Sequence, residues 1–537
     1  MYQATTQSVL ETHKRRESER KNWDTIWDEI AYFVIPSRTG FITDFVPGER
    51  RRWSQRYDST AVQANKTLAN HIHMSLVNPS MQWGTTQFKD PDIQKLDIAK
   101  EWIEDCTKRM HRAYKDSNFR SQINALFQVL PAMGTACIEV NMESTPKHPF
   151  RLLFQGVKLS NCTFDVDAQG RVDTKVQCYK YTPKQIAELW PENGPEESGK
   201  DKLEILKITR PNPDYVPDSI NPKEREYLIE YCHRENVFKT ETAYEQPFMC
   251  VRYDEIDDDD IYGEGPALVC LSDIRSINVA KELELRGYEK AIDPPLMGAA
   301  GAVLSDLHQE AGGFTSVRDP RMIGELPGRM DINSVMIKGE ELRDAINRAY
   351  KINEILVPER KGQNPATATE VQVRYEQAQK MLGSTAGRII DELLVPLHDR
   401  VFGLMHRNGQ FKPMPKELQG KELEVVFTGP LVKSQTSHEA VAAERAIQLI
   451  MGVGQIDADA ILTLDFEKMV RGIVNQYGVP ADWVRSETEV QSLIKKKRAA
   501  EAEAANQEHR MAEAQIEEQQ AVANNANVES MQNVRGI

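Results

Sequence analysis

The first third of the chain changes its hydrophobic period once, near residue 135. Before that point the repeat is helical. Trp23, Ile26, Trp27, Ile30, Phe33 and Val34 recur at i, i+3, i+4 and i+7, which predicts one apolar helix face, and Pro36 ends it. After an Arg-rich connector (Glu49 to Arg52), Asp58-Ser59-Thr60 offers an N-cap to a second helix with Leu68, Ile72 and Leu76 on one side. A third helix is predicted through Trp102, Ile103, Met110 and Tyr114, and a fourth through Ile123, Leu126, Phe127 and Leu130. From Thr135 the period falls to two, at Cys137, Ile138 and Val140, then Arg151 to Phe154, Cys162 to Val166, and Val176 to Tyr181. Further strands are predicted at Leu203–Ile208, Tyr227–Cys232 and Phe248–Tyr253. The resulting body is α+β.

The middle of the chain has a different order of parts. An acidic run, Asp254 to Asp260, leads through Tyr262-Gly263-Glu264-Gly265-Pro266 into a helix carrying Leu268, Leu271, Ile274, Ile277, Leu283 and Leu285, which Pro294-Pro295 ends. Met297 to Lys338 is rich in Gly, Pro and Arg and has poor periodicity. A second helix is predicted from Glu340 to Leu356. A polar loop bounded by Pro358 and Pro365 follows, and then a long helix from about Glu370 to His406, capped by Thr367 or Thr369. Its internal Gly383, Gly387 and Pro396 predict a bend. Short strands from Leu423 to Leu431 and helices from Ser437 complete the folded part. The tail from Ser486 to Asn527 reads as one helix of roughly 60 Å whose stripe is mostly alanine, too thin to be stable without neighbours.

Composition narrows the classes. With 537 residues and 40% hydrophobic positions, there is chain enough for three or four domains' worth of core. The net charge of −14 disfavours a protein that grips nucleic acid with its overall field. Seven scattered cysteines (Cys106, Cys137, Cys162, Cys178, Cys232, Cys250 and Cys270) suit reduced thiols better than a disulfide framework. No run reaches the ~18 apolar residues of a membrane helix, and no apolar signal core follows Met1, so the chain is expected to stay where it is made.

Chemical motifs are few. Gly194 to Asp201 is one residue short of a phosphate-binding loop and places Asp201 where a hydroxyl must reach Mg²⁺, so it reads as a surface turn. His71 and His73, two apart on a helix, point in different directions and do not suggest a metal pair. The Asp254–Asp260 run lacks the spacing and glycine of a calcium loop and reads as a solvated acidic turn. No catalytic motif, cofactor site or metal site is expected.

Several segments, taken together, resemble the portal (head–tail connector) proteins of short-tailed, podovirus-type double-stranded DNA bacteriophages. They are Tyr32 to Pro36, Asn65 to Pro79 with Gln82-Trp83, Tyr262 to Pro266 followed by Leu271 to Asn278, and Ala366 to Val371. Each is short; their order covers the chain from about His13 to Gln519. The resemblance implies a portal fold: an α+β wing (1–265), a first stem helix (266–296), a clip (297–338) and a second stem helix (339–358). A tunnel loop (359–366), a long helix with wing strands (367–432), an α-helical crown (433–485) and a C-terminal helical barrel (486–537) would follow. It also implies a dodecameric ring at one capsid vertex, in the virion, assembled in the host cytoplasm.

The implied partners are the double-stranded DNA in the channel, the terminase large subunit, the major capsid and scaffolding proteins, and the tail adaptor and nozzle proteins. No enzymatic activity and no membrane partner are implied. Arg360, Lys361, Gln363 and Asn364 would face DNA from the tunnel loop, and Arg318, Arg321 and Arg329 in the clip would meet neighbours or the terminase. Twelve copies would carry about −170 charges, a field that discourages tight DNA binding in the bore. Two other readings stay open on the residues alone: another structural adaptor or coiled-coil scaffold, and a metal-dependent nuclease using Asp257 to Asp260.

Overall fold

The computed structural model describes residues 2–36, 41, 56–78, 81–94, 96–145, 148–195, 202–217, 219, 221–234, 236–256, 260–292, 294–301, 303, 316–325, 332–355 and 383–427, and, in the tail, 489–490, 492–504, 506–507, 510–511 and 516. The chain divides into two compact units, Met1–Asp90 with Asp105–His438, and Pro91–Glu104 with Glu439–Ile537.

Helix α1 (Tyr2–Phe33) begins 21 residues before the apolar stripe that announces it. Its second half buries Trp27, Ile30 and Ala31, and Trp27 Nε1 donates to the Met133 carbonyl at 3.0 Å. Its first half is held mainly by polar contacts. His13 Nδ1 and Thr163 Oγ1 share a 2.6 Å hydrogen bond, Arg16 pairs with Asp165 at 2.7 Å, and the buried Arg20 donates to the carbonyls of Leu159 and Ser160. The chain continues with α2 (Thr60–Leu76), strand β1 (Gly84–Phe88), α3 (Asp97–Asp116) and α4 (Phe119–Met133). Within the predicted capping triplet, Ser59 makes no side-chain cap, and Asp58 Oδ1 accepts the Thr60 amide at 2.8 Å.

Strands β2 (Thr135–Thr145) and β3 (His148–Val157) form a hairpin, and β4 (Cys162–Val166) and β5 (Val172–Tyr181) form a second around Gly170, which adopts φ 76°. Helix α5 (Pro183–Leu189) and strands β6 (Leu203–Pro211), β7 (Tyr227–His233), β8 (Asn236–Ala243) and β9 (Phe248–Arg252) follow. Neither α5 nor β8 is predicted by periodicity. The strands make an antiparallel five-stranded meander, β4-β5-β6-β7-β8, and an antiparallel three-stranded sheet, β3-β2-β9. Leu10 of α1 packs on the meander with Val176, Ile208 and Cys232. The sheets are tied by a buried ion cluster: Glu139 of β2 accepts from Lys175 of β5 at 2.6 Å and from Lys207 of β6. Burial opposes charge on Glu139, yet the two ammonium groups hold its pKa well below the ordinary carboxylate range. All seven cysteines are free, with Cys137 and Cys250 opposite each other across β2 and β9.

After a one-turn helix, Pro266–Val269, come α6 (Leu271–Ile292), the paired strands β10 (Leu296–Gly298) and β11 (Ile323–Glu325), and α7 (Ile332–Ala349). The helix predicted through Leu268 and Leu285 is thus broken at Cys270. Its partner begins eight residues earlier than Glu340 and stops at Ala349, because Lys351 takes the left-handed φ of 55°. Ile352–Ile355 is a separate turn. The described part of the long helix runs from Gly383 to Ile389, through a π-helical turn at Ile390–Leu394, into α8 (Val395–Arg407), and β12 (Leu423–Phe427) returns to pair with β1. In the second unit the described tail residues are helical, and Leu493, Ile494, Met511 and Ile516 are all exposed.

Candidate functional site

The hairpin of α6 and α7 is aimed by three glycines. Gly134 ends α4 in the left-handed conformation (φ 72°), its amide bonded to the Leu130 carbonyl at 2.9 Å. A β-carbon there would sit 1.9 Å from the Gly263 carbonyl oxygen; one on Gly265 would sit 2.4 Å from that of Pro131. The Gly263 amide donates to Thr135 Oγ1 and the Tyr253 amide to the Gly134 carbonyl, both at 2.8 Å. Tyr262 presents its ring edge-on to Trp27, with centroids 4.9 Å apart. The Tyr262 to Pro266 motif is therefore a backbone-on-backbone knot from which the hairpin leaves the body.

The base of the hairpin is latched by polar side chains. Asn278 is buried in the apolar face of α6, and its Oδ1 accepts the amides of Tyr57 and Asp58 at 3.1 and 3.2 Å. Asp58 accepts from Arg343 of α7 at 3.1 Å, and Arg275 pairs with Glu29 of α1. Burial pushes the Asp58 pKa upward, but its hydrogen bonds from Thr60 and Arg343 hold it below the usual value.

Beyond the base, the hairpin is uncovered. Leu271, Ile274 and Ile277 are buried, but Val279, Leu283, Leu285, Tyr288 and Ile292 are exposed, Leu283 by 50% and Ile292 by 85%. At 100° per residue, Val279 and Leu283 lie on nearly the opposite side of α6 from Leu285, Tyr288 and Ile292. Charge is balanced: α6 carries four acidic and four basic residues, and α7 three of each. The β10–β11 pair at the far end is exposed at Leu296 and Met297, and Val303 bridges to Val317.

Arg318 and Arg321 of the predicted clip lie just past that bridge, both exposed; the Arg321 amide donates to Asp319 Oδ1 at 2.9 Å. Arg329 lies outside the described residues, as do Arg360, Lys361, Gln363 and Asn364 of the predicted tunnel loop. The predicted crown lies outside them too.

Periodicity did not mark the clamp on the long helix. Glu392, within the π-helical turn, accepts the Arg252 amide at 2.8 Å and its guanidinium at 2.7 Å. Arg252 and Arg388 also both donate to Glu255 at 2.9 Å, so the start of the acidic run is a structural clasp. Asp257, Asp258 and Asp259 lie outside the described residues. Pro396, which has no amide hydrogen, follows the π-helical turn and is, with Gly383 and Gly387, one of the three residues that predicted a bend in this helix. His73 is buried beside Phe127, and burial followed by Arg120 lowers its pKa. Gly194 closes a turn back to Trp190. Among the described residues no three His, Cys, Asp or Glu side chains are grouped to hold a metal ion, and no helix is long and apolar enough to cross a membrane.

The chain belongs to the family described as bacteriophage head to tail connecting protein, which it matches over residues 6–484. Among curated relatives it is 24% identical over 519 residues to a probable portal protein of Bordetella phage BPP-1, covering 91% of this chain and 90% of that one. It is 22% identical over 533 residues to the portal protein of Salmonella phage epsilon15, covering 94% and 93%. The family read from the order of sequence motifs is the family these comparisons give.

Proposed function

We propose that the chain is a portal subunit: twelve copies close into a ring at one capsid vertex and enclose the channel through which double-stranded DNA enters and leaves. The observation that carries this reading is the pair of exposed apolar sides on α6. A subunit in a ring meets two neighbours through two different surfaces, a head-to-tail arrangement that closes on itself. A lone hairpin exposing both would lose the burial that each large apolar side chain supplies, about 1.5–3 kcal/mol.

In this reading the hairpin is the stem, and the exposed β10–β11 end with Arg318, Arg321 and Arg329 is the clip, where the terminase large subunit docks during packaging and adaptor and nozzle proteins dock afterwards. Residues 359–366 form the tunnel loop, with Arg360, Lys361, Gln363 and Asn364 toward the DNA. The charge-balanced stem supports passage without tight binding, since few phosphates would be neutralised along it. The ring serves as a structural channel in the virion, assembled in the host cytoplasm with capsid and scaffolding proteins, and performs no catalysis.

Light scattering on purified protein tests the reading. Twelve subunits of 61.1 kDa give a particle of about 730 kDa, and L283D with I292D is expected to yield monomers. A parent particle of two to four subunits would instead support the coiled-coil adaptor.

A further inference from the structure

Two of the free cysteines face each other inside the body. Cys137 of β2 stands opposite Cys250 of β9 in the antiparallel register. The backbone bonds at the two ends of this ladder decide which kind of pair they form. The Val140 amide donates to the Pro247 carbonyl at 2.9 Å, and the Tyr253 amide to the Gly134 carbonyl at 2.8 Å. Hydrogen-bonded and non-hydrogen-bonded pairs alternate along such a ladder, and counting inward from either end makes Cys137 and Cys250 a non-hydrogen-bonded pair. Arg252, of the same parity as Cys250, accordingly turns its amide away from β2, to Glu392 at 2.8 Å.

That kind of pair suits a covalent link. Its α-carbons lie about 4.5 Å apart with the side chains drawn together, within the span of about 4.4–6.8 Å that a disulfide bridges. The Cys250 thiol already hydrogen-bonds to Cys137. Cys137 shares its face of β2 with Glu139, which meets Lys175 and Lys207 of the meander, so the pair lies between the two sheets. The two residues are only 3% and 6% exposed, which keeps bulky reagents out. No other two cysteines stand opposite each other in the described strand registers. Cys162 of β4 is near enough to interact electrostatically with both, but it belongs to the other sheet and no register aligns it.

We propose that Cys137 and Cys250 are an oxidative modification site, at which a peroxide joins them in a disulfide across β2 and β9. One thiol takes an oxygen from the peroxide, becoming a sulfenic acid and releasing water. The second sulfur then attacks the first, and a second water leaves. The two thiols are oxidised by two electrons, and the peroxide is reduced to two waters. Strand β9 is the edge of its sheet, so local opening admits a molecule little larger than water without unfolding the body. The attacking species is a thiolate, and the hydrogen bond to Cys137, followed by burial, raises the Cys250 pKa well above its ordinary value. Oxidation is therefore slow at neutral pH, and reducing surroundings leave the pair open. Once formed, the bond welds the strand that leaves Gly134 to the strand that leads toward Gly263, and so stiffens the knot from which the hairpin departs. This inference is independent of the ring reading, because both thiols belong to one subunit.

The test treats reduced, folded, full-length protein with hydrogen peroxide, quenches with acid, alkylates the remaining thiols in denaturant and maps the digest by mass spectrometry. A cross-linked peptide pair holding Cys137 and Cys250 is expected, two hydrogens lighter than the reduced pair and lost on treatment with dithiothreitol. Near-ultraviolet circular dichroism taken alongside shows that the protein stays folded. C162S is expected to form the same link, and C137S to form none and to leave Cys250 as a thiol or as a sulfenic acid trapped by dimedone. The cross-linked parent is expected to unfold about 5 °C higher than the reduced parent. A link from Cys162 to either residue in place of the pair would overturn the assignment, as would a Cys137–Cys250 link that forms only after unfolding in urea. An unchanged unfolding midpoint in the cross-linked protein would overturn the stiffening. The mapping is made on the parent protein and stands even if a serine variant does not fold.

Discussion

His398 shows how a single side chain ties stability to pH. It is fully buried among Trp83, His111 and Tyr114, its Nδ1 is 3.5 Å from the Tyr114 hydroxyl, and its Nε2 has no hydrogen-bond partner among the described residues. Burial, with a smaller contribution from His111, lowers its pKa from 6.5 to about 3. The unfolded chain therefore binds this proton more readily than the folded one. The neutral imidazole contributes its full stability above pH 6.5, and that contribution is lost as the pH falls toward 3. At 1.36 kcal/mol per pH unit, the stability difference between the parent and H398Q is expected to shift against the parent by about 2–3 kcal/mol between pH 7 and pH 4.5. Urea denaturation at the two pH values checks this; an unchanged difference would mean that His398 is protonated in the fold. Nothing in the sequence marked His398, which sits inside a predicted helix like any other polar residue. Asn278 was more legible, since a lone amide in the stripe Leu271, Ile274, Ile277 needs a reason, and the backbone amides of Tyr57 and Asp58, which it accepts, supply it.

At the scale of elements, legibility followed the kind of contact. Helices and strands that bury apolar side chains on one face were readable, from α2 and α4 to β7 and β9. The first half of α1 was not, because Arg16 and Arg20 fix it through ion pairs and backbone carbonyls that leave no apolar period. Strand β8 was missed because it is an edge strand with a largely polar sequence, Asn236 to Ala243. Helix α5 carried a signal that periodicity alone passes over: Thr182 and Gln185 form a reciprocal capping box around Pro183. The long helix was expected to bend at its glycines and proline; the local irregularity is a π-helical turn that places Glu392 against Arg252. E392A removes the acceptor of one amide and most of one partly buried ion pair. It is expected to cost about 2–3 kcal/mol and to speed amide exchange through residues 383–407 without changing particle mass. Exchange unchanged in that segment would mean that the turn is held by Pro396 alone.

Across the whole molecule, the proposed ring assigns work to charges that no single subunit explains. Two cations per loop, Arg360 and Lys361, would give about 24 positive charges around the bore of twelve subunits. Each would meet a phosphate with an attraction of only about 1 kcal/mol, screened by salt, so contacts form and break as DNA advances. R360A with K361A is expected to leave particle mass unchanged and to lower retention of packaged DNA, most at low ionic strength. Retention equal to the parent at every salt concentration would remove the loop from the DNA path.

The glycine knot has a mechanical consequence. Helix α6 is 22 residues long, about 33 Å, and it is anchored at one end. As a lever of that length, it turns an angular error of about 5° at the pivot into a displacement of about 3 Å at the tip. Gly134, Gly263 and Gly265 meet with no room for a β-carbon on any of them, so the pivot has almost no slack. In the proposed ring, twelve such tips would have to converge on one circle for their ends to meet. The aim of each lever is therefore fixed at residues far from the surfaces that touch, and an alanine in the knot would open gaps about 30 Å away from the substitution.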